Sequence, residues 1–151
     1  MRYFLDCEYD GWGGALISVA LVPEDGGEEF YALLTLAAPP NDWVQRHVMP
    51  YLDHVPVGLQ TPPMDAVAVA EHLEVWLRGL SEVEIVADWP EDIALFCRLL
   101  TTSPGEVLRV PPMTFRWLSL PGFSTARNSA VPHNALHDAR ALRDHVLNHL
   151  E

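Results

Sequence analysis

Apolar positions in the first third of the chain cluster in three short runs, at residues 2–8, 15–22 and about 29–36. The first run alternates with period two, and the second is apolar on both faces. Glycine-rich segments, which have the composition of turns, separate the three runs. The pattern therefore predicts an antiparallel meander of three strands that begins at the N-terminus.

After residue 40 the apolar spacing changes to the three-and-four periodicity of amphipathic helices. Four helices are expected, at residues 41–52, 65–80, 91–100 and 134–150. Asn41 or Asp42 caps the first, and Pro50 marks a kink in it or its early end. Two further strands are expected, at residues 82–87 and 107–110. Proline-rich or irregular segments connect these elements, at residues 53–64 and 111–132. A meander followed by alternating helices and strands predicts an α/β fold with a mixed sheet and helices on both faces.

The 151 residues, 49% of them hydrophobic, suffice for one buried core and are too few for two ordinary domains. A single domain over residues 1–151 is therefore expected. The apolar N-terminal run is interrupted by Asp6 and Glu8, so it lacks the core of a secretory signal, and no run reaches membrane-spanning length. These features predict a cytoplasmic protein without a membrane partner. Cys7 and Cys97 lie in apolar patterns and are expected to be free, buried thiols.

The chain carries a net charge of −12, with 21 acidic residues against nine arginines and no lysine. This balance excludes a general nucleic-acid coating protein, because neutralising many phosphates requires a basic surface. It leaves open an enzyme that holds one strand end through metal ions. One stretch, residues 107–137, lacks acidic residues and contains Arg109, Arg116 and Arg127, which are candidates for phosphate contacts or are ordinary solvated arginines.

The first run carries two carboxylates into an apolar strand. Side chains alternate between the faces of a strand, so Asp6 and Glu8 lie on one face, about 7 Å apart along the strand, and Cys7 lies on the other. Two neighbouring anions in a buried strand require a positive partner, and a divalent cation is the usual one. This pair is therefore a candidate metal site, although a carboxylate pair alone is also common by chance.

Further acidic positions occur where a strand hands over to a helix, at residues 88–92. Open α/β sheets place their ligands at such junctions. Asp92 is expected in the first turn of its helix, where an acid is also favoured by capping and by the helix dipole. Asp88 competes with Asp92 for a ligand role, and the spacing favours Asp92.

A histidine and an aspartate flank the start of the last helix. His133 and Asp138 would lie about 140° apart if both were helical, and they converge only if His133 precedes the helix, in the loop after Pro132. Asp138 then lies beside the apolar stripe of the helix, at the edge of the core. His137 is expected to be an ordinary surface histidine.

Together, Asp6, Glu8, Asp92 and Asp138 supply four carboxylates from three elements. Such a set can bind two divalent cations about 3.5–4 Å apart, the arrangement used in phosphoryl transfer. Oxygen ligands favour Mg²⁺ or Mn²⁺. His133 titrates near neutral pH and could deprotonate an attacking water.

At this point the sequence resembles the DEDDh group of 3′-to-5′ exonucleases, which have a ribonuclease H-like fold. The resemblance covers nearly the whole chain and lies in three segments: Phe4-Leu5-Asp6-Cys7-Glu8, Asp88-Trp89-Pro90-Glu91-Asp92 and His133-Asn134-Ala135-Leu136-His137-Asp138-Ala139. The third matches the group's H-x-A-x-x-D-A pattern and is the most specific. The opening residues and following strands look most like the compact bacterial single-domain exoribonucleases of this superfamily.

The resemblance implies a ribonuclease H-like mixed sheet and a two-metal exoribonuclease that releases nucleoside 5′-monophosphates from the 3′ end. It implies Asp6, Glu8, Asp92 and Asp138 as metal ligands and His133 as general base. It further implies RNA as the substrate, with DNA as the alternative, and a homodimer. The acidic composition predicts short or single-stranded 3′ ends as the substrate rather than long duplexes. Asp88 stands where the group often has asparagine, and Trp12 stands where it has small residues. Substrate contacts are therefore expected from Trp12 and Asp88. Arg127 is expected to contact a phosphate of the substrate. Trp12 would stack on a base unless it is packed within its loop.

Two other readings remain open. The high negative charge and the unusual segment at residues 9–12 are compatible with a ribonuclease H-like binding module that has no turnover. A two-metal endonuclease of the same fold is the other, and it is disfavoured because it does not need a histidine before the last helix.

Overall fold

A computed structural model of the protein describes residues 1–150. Seven strands are present: β1 (Arg2–Tyr9), β2 (Leu16–Pro23), β3 (Phe30–Leu33), β4 (Val83–Ala87), β5 (Thr101–Ser103), β6 (Glu106–Val107) and β7 (Met113–Trp117). Five α-helices accompany them: α1 (Asp42–His47), α2 (Ala66–Trp76), α3 (Pro90–Leu100), α4 (Thr125–Asn128) and α5 (Ala135–His149). Within residues 1–150, no helix has both the length and the apolar character needed to cross a bilayer.

Five strands form the main sheet, in the order β3-β2-β1-β4-β7. Strands β1, β2 and β3 are antiparallel neighbours, which is the predicted meander, whereas β4 runs parallel to both β1 and β7. The protein is therefore α/β with a mixed sheet, as the sequence predicts. This strand order is compatible with a ribonuclease H-like fold.

Helices cover both faces of the sheet because β1 alternates as its sequence predicts. Tyr3, Leu5 and Cys7 lie on one face, in a core cluster shared with buried side chains of α2 and α3. Phe4 lies on the opposite face and packs against Leu142 of α5. The central strand is thus buried on both sides over its first half.

The second half of β1 extends beyond its parallel neighbour. Only Arg2, Tyr3 and Phe4 pair with β4, whereas pairing with β2 continues through Glu8. Beyond Phe4, the first turn of α3 approaches β1 instead, and the Cys7 thiol lies 3.8 Å from the Asp92 carbonyl oxygen. A recess therefore opens at this end of the sheet, where β1 carries its carboxylates.

The fifth strand of the sheet lies where the sequence suggested an irregular segment. The expected strand at residues 107–110 was wrong, since only Glu106–Val107 is extended and it pairs with β5 in a separate two-stranded sheet. The sheet is completed by β7, an edge strand whose side chains are mostly exposed. An exposed edge strand lacks the apolar signal of a buried one, and a proline just before it is compatible with a strand start.

The first helix is shorter than the predicted one at residues 41–52. Asn41 caps α1, as one of the two alternatives predicted, but the helix ends at His47 and a separate 3₁₀ turn covers Met49–Tyr51. The early end is one of the two effects predicted for Pro50, because proline removes a donor from a helix interior. Cys7 is buried as predicted, whereas Cys97 is only half-buried, and both are free thiols.

Candidate metal centre and cleft

A cleft of about 540 Å³ lies at the end of the sheet where β1 outruns β4. Strand β1, the turn between β4 and α3, and the start of α5 all contribute side chains to it. This is the carboxyl edge of the parallel strands, where open α/β sheets place their ligands. The lining includes the four predicted metal ligands, the predicted general base and Asp88, that is Asp6, Glu8, Asp88, Asp92, His133 and Asp138.

These side chains form two groups, and in each group the ligand atoms lie within 4.8 Å of one another. Glu8, His133 and Asp138 form the first group, and Asp6, Asp88 and Asp92 form the second. The structure thus brings together residues separated by up to 130 positions in the chain. It also places Asp88 beside Asp92, so the two acids that competed for one role both reach Asp6.

Asp92 reaches the cleft because of how α3 begins. Pro90 occupies the first turn and Trp89 is the N-cap, and no side chain caps the helix. Asp92 is therefore not used as a cap, although it lies in the first turn, and its side chain is buried. An acid that neither caps its helix nor reaches water needs another positive partner.

His133 lies in the loop before α5, which is the position predicted to bring its side chain close to that of Asp138. Its backbone has a φ of +65°, a left-handed conformation that is uncommon outside glycine. Its N–H donates to Asp138 Oδ2 at 3.1 Å, which ties the turn to the carboxylate one helical turn further on. The turn directs the His133 side chain back over the cleft.

Asn134 holds this turn, and the sequence reasoning missed its role. It is fully buried and caps α5, with Oδ1 accepting from the N–H groups of Leu136 and His137. Its Nδ2 donates to the Tyr51 carbonyl at 2.8 Å. An asparagine directly before a helical apolar stripe is an N-cap signal that could have found it.

Replacing Asn134 by alanine is expected to lower the free energy of unfolding by about 1.5–5 kcal/mol. The change removes a helix cap, which is worth about 0.5–2 kcal/mol, and leaves the Tyr51 carbonyl without its donor, which costs about 1–3 kcal/mol. Urea unfolding followed by circular dichroism measures the difference. Asn128→Ala in the short helix α4 serves as the control, and an equal effect of both changes would contradict this account.

Two buried carboxyl oxygens of the site have no hydrogen-bond partner. Within residues 1–150, Asp6 Oδ2 and Asp138 Oδ1 are shielded from solvent and accept no hydrogen bond. Buried polar atoms are almost always satisfied, and unpartnered oxygens within a cluster of carboxylates fit the binding of a cation. A set of carboxylates with one imidazole fits Mg²⁺ or Mn²⁺, so the residues present fit the predicted cations.

The metal-free cluster binds protons tightly. Burial and the charge of Asp138 raise the pKa of Glu8 to about 9, and burial with the charge of Asp88 raises the pKa of Asp92 to about 8. Burial raises the pKa of Asp138 to about 6, and burial with the charge of Asp92 raises that of Asp6 well above its usual range. Cations would replace these protons, because ligating carboxylates must be ionised.

Metal-free protein is expected to lose stability as the pH rises from about 4 to about 9. The carboxyls have raised pKa values in the folded state, so the folded protein holds more protons than the unfolded chain, and stability falls with pH. A loss of a few kcal/mol corresponds to a fall in Tm of at least about 5 °C. Thermal unfolding in chelator at pH 5, 7 and 9 measures this, and Mn²⁺ is expected to restore the Tm at pH 8–9. A Tm in chelator that does not change with pH would contradict the expectation.

The predicted substrate contacts lie in different places. Trp12 is 95% exposed, so it is not packed within its loop, and it adjoins Gly11 in the cleft wall. Arg127 lies outside the cleft lining and donates to the Gly122 carbonyl at 3.2 Å. His137 is near the surface, where its Nε2 lies 2.7 Å from the His54 carbonyl oxygen.

Aromatic residues of the cleft were not found from the sequence. Trp43 and Trp89 line it, and Trp43 contacts the His133 ring edge to face with centroids 5.0 Å apart. Trp43 lies 90 residues from His133 along the chain and follows no motif spacing. Only the tertiary contact identifies it.

Fold and cleft together define an α/β protein whose mixed sheet ends in a carboxylate cluster with one histidine. No family model matches the chain, and no curated protein matches it. The particular activity is therefore argued below from the chemistry of this cleft.

Proposed function

We propose that this protein is a metal-dependent 3′-to-5′ exoribonuclease that releases nucleoside 5′-monophosphates. One observation carries the proposal: five carboxylates and a histidine from three distant segments meet in one cleft with buried oxygens left unpartnered. The resemblance of the same three segments to DEDDh exonucleases supports the direction of cleavage and the preference for RNA.

The two side-chain groups would each hold one divalent cation. Asp6, Asp88 and Asp92 would bind one cation, and Glu8 and Asp138 would bind the other. Asp6 also interacts with an acid of each group, since the charges of Asp92 and Asp138 both raise its pKa. Bound Mg²⁺ or Mn²⁺ would neutralise the carboxylates and stabilise the charge that develops on the attacking and leaving oxygens. The positions of the ligating side chains would determine where the two cations contact the substrate.

His133 is suited to accept a proton from the attacking water. A ring nitrogen lies within 4.8 Å of carboxylate oxygens of Glu8 and Asp138, at the cleft surface. Burial and the nearby His47 lower the pKa of His133, which keeps the ring neutral and able to accept a proton at pH 7. The water would lose its proton to His133 as it attacks the phosphorus, and the bond from phosphorus to the 3′ oxygen of the preceding nucleotide would break. That oxygen would take a proton from solvent, and the 3′-terminal nucleotide would leave as a 5′-monophosphate.

The test is incubation of the protein with 5′-labelled single-stranded RNA or DNA in Mn²⁺, Mg²⁺ or chelator. A ladder that shortens from the 3′ end in metal, faster on RNA, is expected, with 5′-monophosphates as products. Faster shortening of DNA would make the protein a deoxyribonuclease of the same mechanism. Internal cuts would indicate an endonuclease, and intact substrate with both metals would refute the proposal.

A further inference from the structure

The two edges of the main sheet, β3 and β7, differ in how far they are covered. At the end of β3, the Met64 N–H donates to the Leu33 carbonyl, and the Met64 carbonyl accepts from the Thr35 N–H. All four residues of β3 are buried, whereas four of the five residues of β7 are exposed. Of the two edges, β7 is therefore the one that a further strand could reach.

The hydrogen bonds to β4 determine which backbone groups of β7 remain free. At one end the Val83 N–H donates to the Pro112 carbonyl, and at the other the Leu118 N–H donates to the Ala87 carbonyl. Residues of a strand alternate between the neighbours that they bond, so the even-numbered residues of β7 bond β4. Within residues 1–150, no other segment bonds the backbone groups that point away from β4. These groups belong to Met113, Phe115 and Trp117.

The side chains of β7 alternate between the two faces of the sheet. Phe115 faces α3, where its ring contacts Phe96 with centroids 6.2 Å apart, and it is still 39% exposed. Trp117 lies on the same face and is 57% exposed. Thr114 and Arg116 are exposed on the opposite face. A strand added beside β7 would therefore meet aromatic rings on one face and a hydroxyl and a guanidinium on the other.

The strand also lacks the features that commonly close a sheet edge. Proline, a bulge or a covering segment usually prevents free backbone groups from pairing with another chain. β7 contains no proline, and its five residues pair with β4 in unbroken register. The free edge therefore has the length of an ordinary strand.

The local charge at this edge is opposite to that of the whole chain. The chain has a net charge of −12, but residues 107–137 contain three arginines and no acid. Within residues 1–150, Arg116 forms no ion pair. Salt at about 0.15 M screens charges that are more than about 8 Å apart, so a strand beside β7 interacts mainly with Arg116.

We propose that β7 binds an extended segment of a partner protein, which joins the sheet as a sixth strand. A row of free backbone groups selects a strand, and the local positive charge selects an acidic one. Apolar side chains at alternate positions would pack on Phe115 and Trp117, and acidic side chains between them would face Arg116. A second copy of this chain is a poorer match, because its own β7 would bring another Arg116 and no acid.

This surface is separate from the candidate metal centre. No residue of β7 belongs to the cleft lining. The inference therefore does not rest on the proposed nuclease activity, and loss of either proposal would leave the other standing.

The first experiment measures amide exchange by NMR with a nine-residue peptide of alternating valine and glutamate. In the free protein the amides of Phe115 and Trp117 should exchange fast, whereas those of Thr114 and Arg116 donate to β4 and should exchange more slowly. Saturating peptide should slow exchange at Phe115 and Trp117 at least about tenfold and leave Thr114 and Arg116 nearly unchanged.

Three results of this experiment would overturn the proposal. The first is a peptide that does not bind. The second is a bound peptide that leaves the amides of Phe115 and Trp117 unprotected. The third is slow exchange of these two amides in the free protein together with a dimer in sedimentation, which would show that a second copy occupies the edge.

The second experiment separates backbone pairing from side-chain contact. Phe115→Pro removes the free N–H without removing a bond to β4, and edge strands tolerate proline where the N–H faces solvent. Phe115→Thr also removes the ring but keeps the N–H and suits a strand, so it is the matched control. Phe115→Pro should bind the peptide at least about tenfold more weakly than Phe115→Thr. Equal affinities, with both variants folded by circular dichroism, would refute backbone pairing, and the exchange measurement decides the same point without any substitution.

The third experiment tests the charge of the partner. A peptide of alternating valine and lysine has the same strand pattern and the opposite charge. In 0.15 M KCl it should bind the parent protein about fivefold more weakly than the glutamate peptide, the range for one cross-strand charge pair. Arg116→Gln should abolish this preference. Equal or tighter binding of the lysine peptide to the parent would overturn the assignment of an acidic partner.

Discussion

Asp6→Asn is expected to reduce RNA hydrolysis to background and to stabilise the metal-free protein at the same time. Asp6 belongs to one side-chain group and interacts with acids of both, because after burial the charges of Asp92 and Asp138 both raise its pKa. Loss of an outer partner of a metal ligand already lowers metal affinity about 10- to 100-fold, so loss of a ligand should exceed that range. Turnover should fall by at least the same factor.

The gain in stability has the same cause as the loss of activity. A neutral amide removes one of the carboxyls whose ionisation opposes folding at neutral and alkaline pH, so the Tm in chelator should rise at pH 8 and change little at pH 5. Manganese titration by calorimetry and thermal unfolding provide the two readouts. Glu71→Gln removes an exposed carboxylate on α2 and is the control. Retained activity in Asp6→Asn, or a Tm at pH 8 below that of the parent, would contradict the assignment.

His133→Gly is expected to lower kcat by about 10²- to 10⁴-fold, the usual contribution of a general base. Glycine is the sharpest replacement here because it readily adopts the positive φ of this position, so the turn before α5 should survive. The backbone N–H that donates to Asp138 also remains. The fold and the affinity for Mn²⁺ are therefore expected to change little.

Chemical rescue separates a base from a purely structural residue. Imidazole added to His133→Gly can occupy the space left by the side chain and accept the proton, so it should restore part of the rate, with a pH dependence that follows imidazole. His137→Gly, in the first turn of α5, is the control and should show no rescue. A His133→Gly variant that keeps full activity would show that another group accepts the proton.

The features that would bind metal at this site destabilise the metal-free fold. The unpartnered oxygens of Asp6 and Asp138 and the raised pKa values of Glu8 and Asp92 are unfavourable in the metal-free fold. Surrounding apolar packing on both faces of β1 offsets this. Functional sites commonly carry such local conflicts, which a bound ligand relieves.

Local patterns alone determined much of this protein. Period-two alternation put Asp6 and Glu8 on one face of the first strand, turn residues defined the meander, and apolar periodicity located the main helices. These predictions succeeded because they depend on neighbours within a few residues, where backbone geometry leaves few choices. The position of His133 before α5 followed from the proline that precedes it.

Other features were decided by the tertiary structure. That Asp88 joins Asp6 and Asp92 depends on the approach of α3 to β1, across more than 80 residues. The edge strand β7 owes its form to pairing with β4, because its own residues are mostly exposed. The contact between Trp43 and His133 also arises from packing, since which side chains share a surface depends on contacts between distant segments.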